Sequence, residues 1–461
     1  MSKLKITLED LFNLPTAEIL NPDAFNGAEG ISIDSRNMKK GLLFIAIKGE
    51  KFDGHDFISE AVKKGASAVM INADSLGRYD KINKTIITVK DTTAALGAIA
   101  AVWRNKLKAK VISVTGSNGK TSTKDMLAVV LSQKLNTVKT EANNNNHIGV
   151  PLTILQADEK CKALVLEQGT NHFGEIEYSA NISRPDFALI TNIGDSHLEF
   201  LVNREGVYKE KSALFTVTSK HKGVCFVNTD DPVIKKHASR IKNKVTFGFN
   251  GKPDVKGEIL GYTGDGKSIL SVSYRNKELT VELPVYGLSN AKNFLAVCAV
   301  AFKMGLTAEE IAAGALKMKD AKGRLQAAKF SDFILFDDTY NSNPASVEAA
   351  VEVLENISAY SKKVLILGDM LELGVKADKL HKDLYKIIPN KKEYTVLTIG
   401  ALMKNLSGKL RKNVNRKHFA SRESLSAYLK KFDFSDSAVL VKGSRGMKME
   451  DFANTIAERG K

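Results

Sequence analysis

A β-branched apolar run that opens into a glycine-lysine-hydroxyl turn, and then into a helix, constrains this chain more than any other stretch. Val111-Ile112-Ser113-Val114-Thr115-Gly116-Ser117-Asn118-Gly119-Lys120-Thr121-Ser122 reads as a buried strand, a phosphate-binding loop and the approach to a helix expected over Thr123 to Leu135. Gly116 and Gly119 allow the tight turn that aims backbone N–H groups at phosphate oxygens; Lys120 adds a point charge and the Thr121 hydroxyl is a ligand for Mg²⁺. The full P-loop pattern wants a further glycine where Val114 stands, so this is the shorter Thr-Gly-x-x-Gly-Lys-Thr form. A chance Gly-Lys-Thr in a surface loop would lack the strand before it and the helix after it.

Length and patterning set the frame around that loop. With 461 residues, 43% of them hydrophobic, the chain is long enough for about three domains with real cores. Apolar β-branched runs alternate with amphipathic stretches, the pattern of an α/β protein with mostly parallel sheets. Three blocks are expected, at 1–91, 92–322 and 323–461. The first holds Gly30 to Arg36, an apolar run from Gly41 to Gly49, a helix through Ala61 and a strand from Ala68 to Ile71. A helix from Thr92 to Leu107 leads into the loop-bearing block. The third begins near Gly323-Arg324, with strands at Phe333 to Phe336, Val364 to Leu367, Tyr394 to Ile399 and Ala438 to Val441 and helices between them. With no internal repeat and no low-complexity linker, the blocks are expected to abut and to move relative to one another.

Composition narrows the partners. Cys161, Cys225 and Cys298 are far apart, in apolar contexts, with neither metal spacing nor a disulfide framework, which suits a reducing cytoplasm. The start shows no basic region followed by an apolar stretch, and no apolar run reaches membrane-spanning length. A soluble, unexported chain without membrane insertion is therefore expected. A formal net charge of +16 raises the question of nucleic acid, but the lysines are scattered over helix faces without interleaved aromatics and only one tryptophan is present. A solvated basic surface that attracts anionic small molecules is the preferred reading, with no nucleic-acid partner. Oligomeric state is not legible; a monomer is the favoured default.

The second block also places acid and imidazole where a P-loop fold does its chemistry. Ala163 to Glu167 is a buried-strand pattern ending in a carboxylate, and in open parallel sheets ligands bind outside the carboxyl ends of the strands. Phe187 to Gly194 is a second such strand, followed by His197 and Glu199. Carboxylate and imidazole facing the Thr121 hydroxyl would make a magnesium site.

Read together, these and further motifs identify a family. Asp34-Ser35-Arg36, Lys48-Gly49, Thr115 to Ser122, Asn145 to Thr153, Glu167 to Ile176, Asn192 to Glu199, Gly287 to Asn293, Gly323-Arg324, Asp337 to Pro344, Leu367 to Gly374 and Lys442 to Arg445 occur in an order that resembles the Mur ligases. These are the cytoplasmic ATP-dependent amide ligases that extend the peptide of the peptidoglycan precursor. Asn192-Ile193-Gly194-x-x-His197-Leu198-Glu199 and Leu367-Gly368-Asp369-Met370-x-Glu372-Leu373-Gly374 are similar to the members that join D-alanyl-D-alanine to UDP-N-acetylmuramoyl-tripeptide.

The resemblance implies an N-terminal UDP-substrate-binding α/β domain, a central P-loop ATPase-type domain and a C-terminal Rossmann-like domain. It implies that ATP converts the peptide carboxylate to an acyl phosphate, which the dipeptide amine then attacks. Lys120 would neutralise the transferring phosphate, Thr121 and Glu167 would hold one Mg²⁺, and Glu167 with His197 a second. Lys211 aligns with the lysine these ligases carbamylate, which turns a cation into an oxygen ligand; Lys209 is the competing candidate, and a solvated helix face is the plain alternative for both. The nucleotide site would comprise Gly116, Ser117, Asn118, Gly119, Lys120, Thr121 and Ser122, with Asn290 and Asn293 at the adenine and ribose and Arg324 and Asp338 arriving by domain closure. Asn290 and Asn293 would open a helix running from Phe294 to Met304, with helix capping the alternative for Asn290. Asp34, Ser35, Arg36 and Lys48 are assigned to the UDP end, and Asn145, Asn146, Asn341 and Asn343 to the substrate.

Two other readings stay open at this level. A sister ligase adding another amino acid, or a folylpolyglutamate synthetase, would keep the ATP site and change the third block, although no Asp-Asn-Pro-Arg segment of the diaminopimelate-adding type is present. A basic nucleotide-binding or nucleic-acid-binding module without catalysis would leave Glu167, His197 and Lys211 without a purpose.

Overall fold

The computed structural model describes residues 5–79, 81–196 and 198–460, arranged as α/β layers on three sheets. The first sheet has five strands, in spatial order Glu18–Leu20, Thr85–Val89, Ala68–Asn72, Leu43–Ile45 and Ile31–Ser32; only the Glu18–Leu20 pairing is antiparallel. The second runs Lys277–Tyr286, Lys267–Tyr274, Val255–Tyr262, Lys244–Gly248, Val224–Asn228, Phe187–Ile190, Lys110–Thr115, Ala163–Glu167 and Thr137–Lys139. Its first three strands form an antiparallel meander at one edge. The third has six strands, Gln326–Lys329, Phe333–Asp338, Ser437–Lys442, Lys362–Gly368, Tyr394–Ile399 and Asn415–Phe419, parallel but for the first.

Burial explains which strands read as continuous apolar runs. Every residue of Ala163–Glu167 is buried, because helices cover both faces of the parallel region. In the meander, Lys267–Tyr274 alternates half-buried and buried residues, the period of a strand with one wet face. The third sheet carries separate apolar layers on its two faces, one around Phe336 and Leu365 and one around Ile366 and Phe452.

The helix Thr92–Lys106 joins the first sheet to the second more tightly than a short connection would. Asp91 caps it by accepting from Thr93 and Ala94 N–H, and the Thr92 hydroxyl donates to Ala46 O at 2.7 Å. Leu96, Ile99 and Trp103 then pack into one continuous core with Leu43 and Met70 of the first sheet and Val111 and Leu164 of the second. The Trp103 indole N–H donates to Ala157 O at 2.8 Å. Burying side chains of this size contributes about 1.5–3 kcal/mol each. The first two sheets therefore share a core.

Three expected elements shift. The helix after the phosphate loop is Lys120–Leu131, not Thr123 to Leu135, because it begins directly behind Gly119 in the left-handed region (φ 79°), three residues earlier than expected, and the chain passes into turns after Leu131. The apolar run from Gly41 to Gly49 pairs only over Leu43–Ile45, since Lys48 and Gly49 have already entered a tight loop. The helix expected from Phe294 starts at Leu288 behind Gly287, so Asn290 does not cap it; its side chain donates to Tyr286 O at 2.8 Å.

Candidate active site

Adjacent strand ends build the centre. Lys110–Thr115 lies between Ala163–Glu167 and Phe187–Ile190, so the phosphate loop, Glu167 and the segment after Ile190 leave the same edge of the sheet. The loop is fastened to its neighbour: Ser117 N–H donates to Asn192 O at 3.0 Å, Asn118 N–H to Asn192 Oδ1 at 3.1 Å, and the Thr191 hydroxyl to Asn118 O at 2.6 Å. Two glycines are obligatory. A Cβ on Gly116 (φ 149°) would come within 1.9 Å of Thr191 Oγ1, and one on Gly119 within 2.5 Å of Asn293 Oδ1. Asn293 is thereby placed against the loop although it sits a full turn inside its helix.

The carboxylate and hydroxyl meet as the strand pattern requires. Thr121 Oγ1 donates to Glu167 Oε1 at 3.1 Å, and Asn145 Nδ2 donates to the same oxygen at 2.8 Å. Glu167 Oε2 is buried and, among the described residues, has no hydrogen-bond partner. An orphaned carboxylate oxygen beside a threonine hydroxyl is a hard, anionic donor set, and it fits a magnesium ion. Lys120 donates to Gly116 O at 2.9 Å across the loop. Burial lowers its pKa and Glu167 partly restores it. His197, assigned to the second metal, lies outside the described residues.

Lys211 and Lys209 separate cleanly. Both ride on the helix Arg204–Lys220, but Lys209 is exposed, with its ammonium 5.6 Å from the Phe173 ring centroid, whereas Lys211 is 1% exposed. Among the described residues, none hydrogen-bonds the Lys211 amine. Its pKa is held well below the usual lysine value, first by burial and then by repulsion from Lys120, with Glu210 pulling the other way. A lowered pKa favours the neutral amine, the form that reacts with carbon dioxide. Glu210, which sequence patterning did not single out, is buried beside it. It accepts from Thr170 Oγ1 and from Gly174 and Ile176 N–H, fixing the chain that follows Glu167.

A cavity of about 350 Å³ opens next to the loop, walled by Met126, Val129, Val285 and Met318 and edged by Asn290 and Arg324. Apolar walls with a few convergent polar groups suit a purine ring. Asp320, on the connection to the third block, also lines it, a contribution without any motif to announce it. From the third block, Arg324 Nη2 donates to Thr121 Oγ1 at 3.3 Å and Asn343 Nδ2 to Asn118 Oδ1 at 3.0 Å. Asp338 is otherwise engaged: it accepts from Leu325 N–H at 3.1 Å and from the buried Lys442 at 2.6 Å. The backbone carbonyl of Asn341 accepts from Lys442 as well.

Other assigned residues stand apart from this centre. Asn146 closes the turn before the helix Gly149–Gln156, its Oδ1 accepting from Ile148 and Gly149 N–H. Asp34 grips its own neighbour Arg36 at 2.8 Å, and the Ser35 hydroxyl donates to Glu60 at 2.8 Å. Lys48 lies across a backbone bridge from Asp53. These residues follow the carboxyl ends of Ile31–Ser32 and Leu43–Ile45, on a different sheet from Glu167.

Three family descriptions match the chain in order. They are the Mur ligase family, catalytic domain, over residues 28–104, the Mur ligase middle domain over 114–301, and the Mur ligase, glutamate ligase domain, over 323–445. The UDP-N-acetylmuramoyl-tripeptide--D-alanyl-D-alanine ligase of Bacillus subtilis is 33% identical, with 99% of each chain covered. The crystal structure of MurF from Acinetobacter baumannii superposes with a TM-score of 0.86 at 30% identity, covering 99% of both chains. MurF from Thermotoga maritima, solved in complex with ADP, gives 0.81 at 27% identity, covering 93% of this chain and 98% of that one.

Proposed function

Because this chain belongs to the Mur ligase family, we propose that it joins D-alanyl-D-alanine to UDP-N-acetylmuramoyl-tripeptide, cleaving ATP to ADP and phosphate in peptidoglycan precursor synthesis. The observation that carries the reading is the meeting of phosphate loop, Thr121 and half-satisfied Glu167 at one sheet edge, with Arg324 reaching in from the third block. A peptide carboxylate is a poor acyl donor. Its oxygen attacks the γ-phosphorus and ADP leaves; the dipeptide amine then attacks the acyl carbon, loses a proton and expels phosphate.

The residues divide that work. Lys120 and Arg324 face the phosphate that gains charge as it transfers. Asn290 and Asn293 border the nucleotide, with Gly116 to Ser122 around its phosphates. Thr121 and Glu167 would hold Mg²⁺, with His197 and carbamylated Lys211 serving a second ion. These ions supply screening between two anions that otherwise repel. Carbamylation adds the neutral Lys211 amine to carbon dioxide and releases one proton. Asp34, Ser35, Arg36 and Lys48 take the UDP end, and Asn145, Asn341 and Asn343 face the peptide. The labour divides over 1–91, 92–322 and 323–461. The precursor is made in the cytoplasm, and no described helix is long and apolar enough to cross a membrane.

Phosphate release from ATP is the direct test. Turnover should require both the UDP-linked tripeptide and D-alanyl-D-alanine. Robust turnover with a single free amino acid in place of the dipeptide would move the chain to a sister ligase.

A further inference from the structure

Arg324 is the group that carries positive charge from the third block to the phosphate loop, and something must aim it. A free arginine side chain samples many rotamers, and ordering it costs about 1.5–2 kcal/mol. Its backbone is already fixed on both sides. Tyr340 N–H donates to Gly323 O at 2.9 Å, and Leu325 N–H donates to Asp338 Oδ1 at 3.1 Å. The turn that supplies Tyr340 is itself rigid, because Asp337 Oδ1 accepts from both the backbone and the hydroxyl of Thr339, at 3.1 and 2.6 Å. The side chain is fixed by the ring: the guanidinium carbon stands 4.0 Å from the Tyr340 centroid, while Nη2 reaches Thr121 Oγ1.

We propose that Tyr340 is a positioning residue for the ligase reaction, its ring face holding the Arg324 guanidinium in the direction from which it meets the transferring phosphate. This rests on the nucleotide reading of Arg324 given above. Stacking suits the task because a planar guanidinium keeps its N–H edge free while its face lies on the ring. Among the described residues none hydrogen-bonds the Tyr340 hydroxyl, so the ring face, not the phenol, is what matters.

The test is a series at Tyr340 crossed with Arg324→Lys, which keeps the charge and loses the plane. ATP dissociation constants are measured by calorimetry beside kcat and KM for each substrate, with Tm as a check on folding. Tyr340→Phe should stay within about twofold of wild type. Tyr340→Leu should weaken ATP binding and kcat/KM for ATP about three- to thirtyfold, the range of a cation–π contact, with KM for D-alanyl-D-alanine unmoved. The double variant should be no worse than Arg324→Lys alone. Arg324→Lys impaired but Tyr340→Leu normal would overturn the role of Tyr340 and spare the nucleotide site. Equal damage from Phe and Leu, or strictly additive losses, would overturn it too. A normal Arg324→Lys would remove both the role of Tyr340 and the reading of Arg324 beneath it.

Discussion

At the scale of single residues, charge and burial decide the chemistry. Lys120→Ala and Glu167→Ala should each lower kcat by about a hundredfold to a thousandfold with the fold intact, as loss of one electrostatic stabiliser typically does. Steady-state kinetics beside a melting curve checks this; a near-normal rate in either variant places the nucleotide elsewhere. Lys211→Ala should lose most activity and recover part of it with a small carboxylic acid in the buffer, Lys211→Arg should be as poor, and Lys209→Ala should be close to wild type. Stability moves the opposite way. The folded state binds the Lys211 proton less tightly than the unfolded chain does, so folding expels it. Wild-type stability should therefore climb with pH from the depressed folded-state value up to the ordinary lysine value, about 10.5. In bicarbonate-free buffer at pH 7, Lys211→Met should raise Tm while abolishing ligation, and its advantage should vanish above about pH 10.5. A pH-independent difference in Tm would contradict the buried neutral amine.

At the scale of elements, the phosphate loop works because two helices and a strand meet without side-chain bulk. Gly119 takes φ 79° and lies against Asn293. Gly119→Ala combines left-handed strain of about 1–2 kcal/mol with a clash, and KM for ATP should rise at least tenfold. The three nearest atoms all belong to the Asn293 side chain, so adding Asn293→Ala should relieve the clash and leave the strain. Read by melting temperature, Gly119→Ala should therefore cost less in an Asn293→Ala background than in the wild type; an equal loss in both backgrounds would mean that the backbone conformation alone forbids alanine. Elsewhere, side-chain caps do what backbone periodicity cannot, as where Asp91 starts its helix.

For the whole molecule, the first two sheets are one packed body, and the third block meets them through polar contacts at the loop and through Tyr286, which packs in an apolar cluster with Phe336 and Val353. Asn343→Asp isolates that meeting. Aspartate still accepts from Ser346 N–H as a helix cap, but it cannot donate to Asn118 Oδ1. Tm should hold within a degree or two while small-angle scattering shows a larger radius of gyration and KM for ATP rises severalfold. An unchanged radius would show that the Asn118–Asn343 bond does not hold the blocks together.

Linear order was enough for the α/β class, the phosphate loop, Glu167 at a strand end and four of the third block's six strands, because each follows from local rules; Gln326–Lys329 and Asn415–Phe419 carry no apolar run to announce them. Buried parallel strands read as apolar runs, glycines mark turns, and a carboxylate ending such a run faces the ligand edge. The rest needed the chain to fold back on itself. Lys209 and Lys211 lie on opposite faces of one helix, and only tertiary packing decides which face is buried and which exposed. The start of Asn290's helix at Leu288, which removes capping as its alternative role, depends on Gly287, whose backbone angle no neighbour announces. Tyr340 and Arg324 lie in separate motifs, and their stacking exists only where two turns of the third block close on each other. Local pattern encodes backbone periodicity; the contact between distant segments, which sets burial, pKa and aim, is a property of the tertiary structure alone.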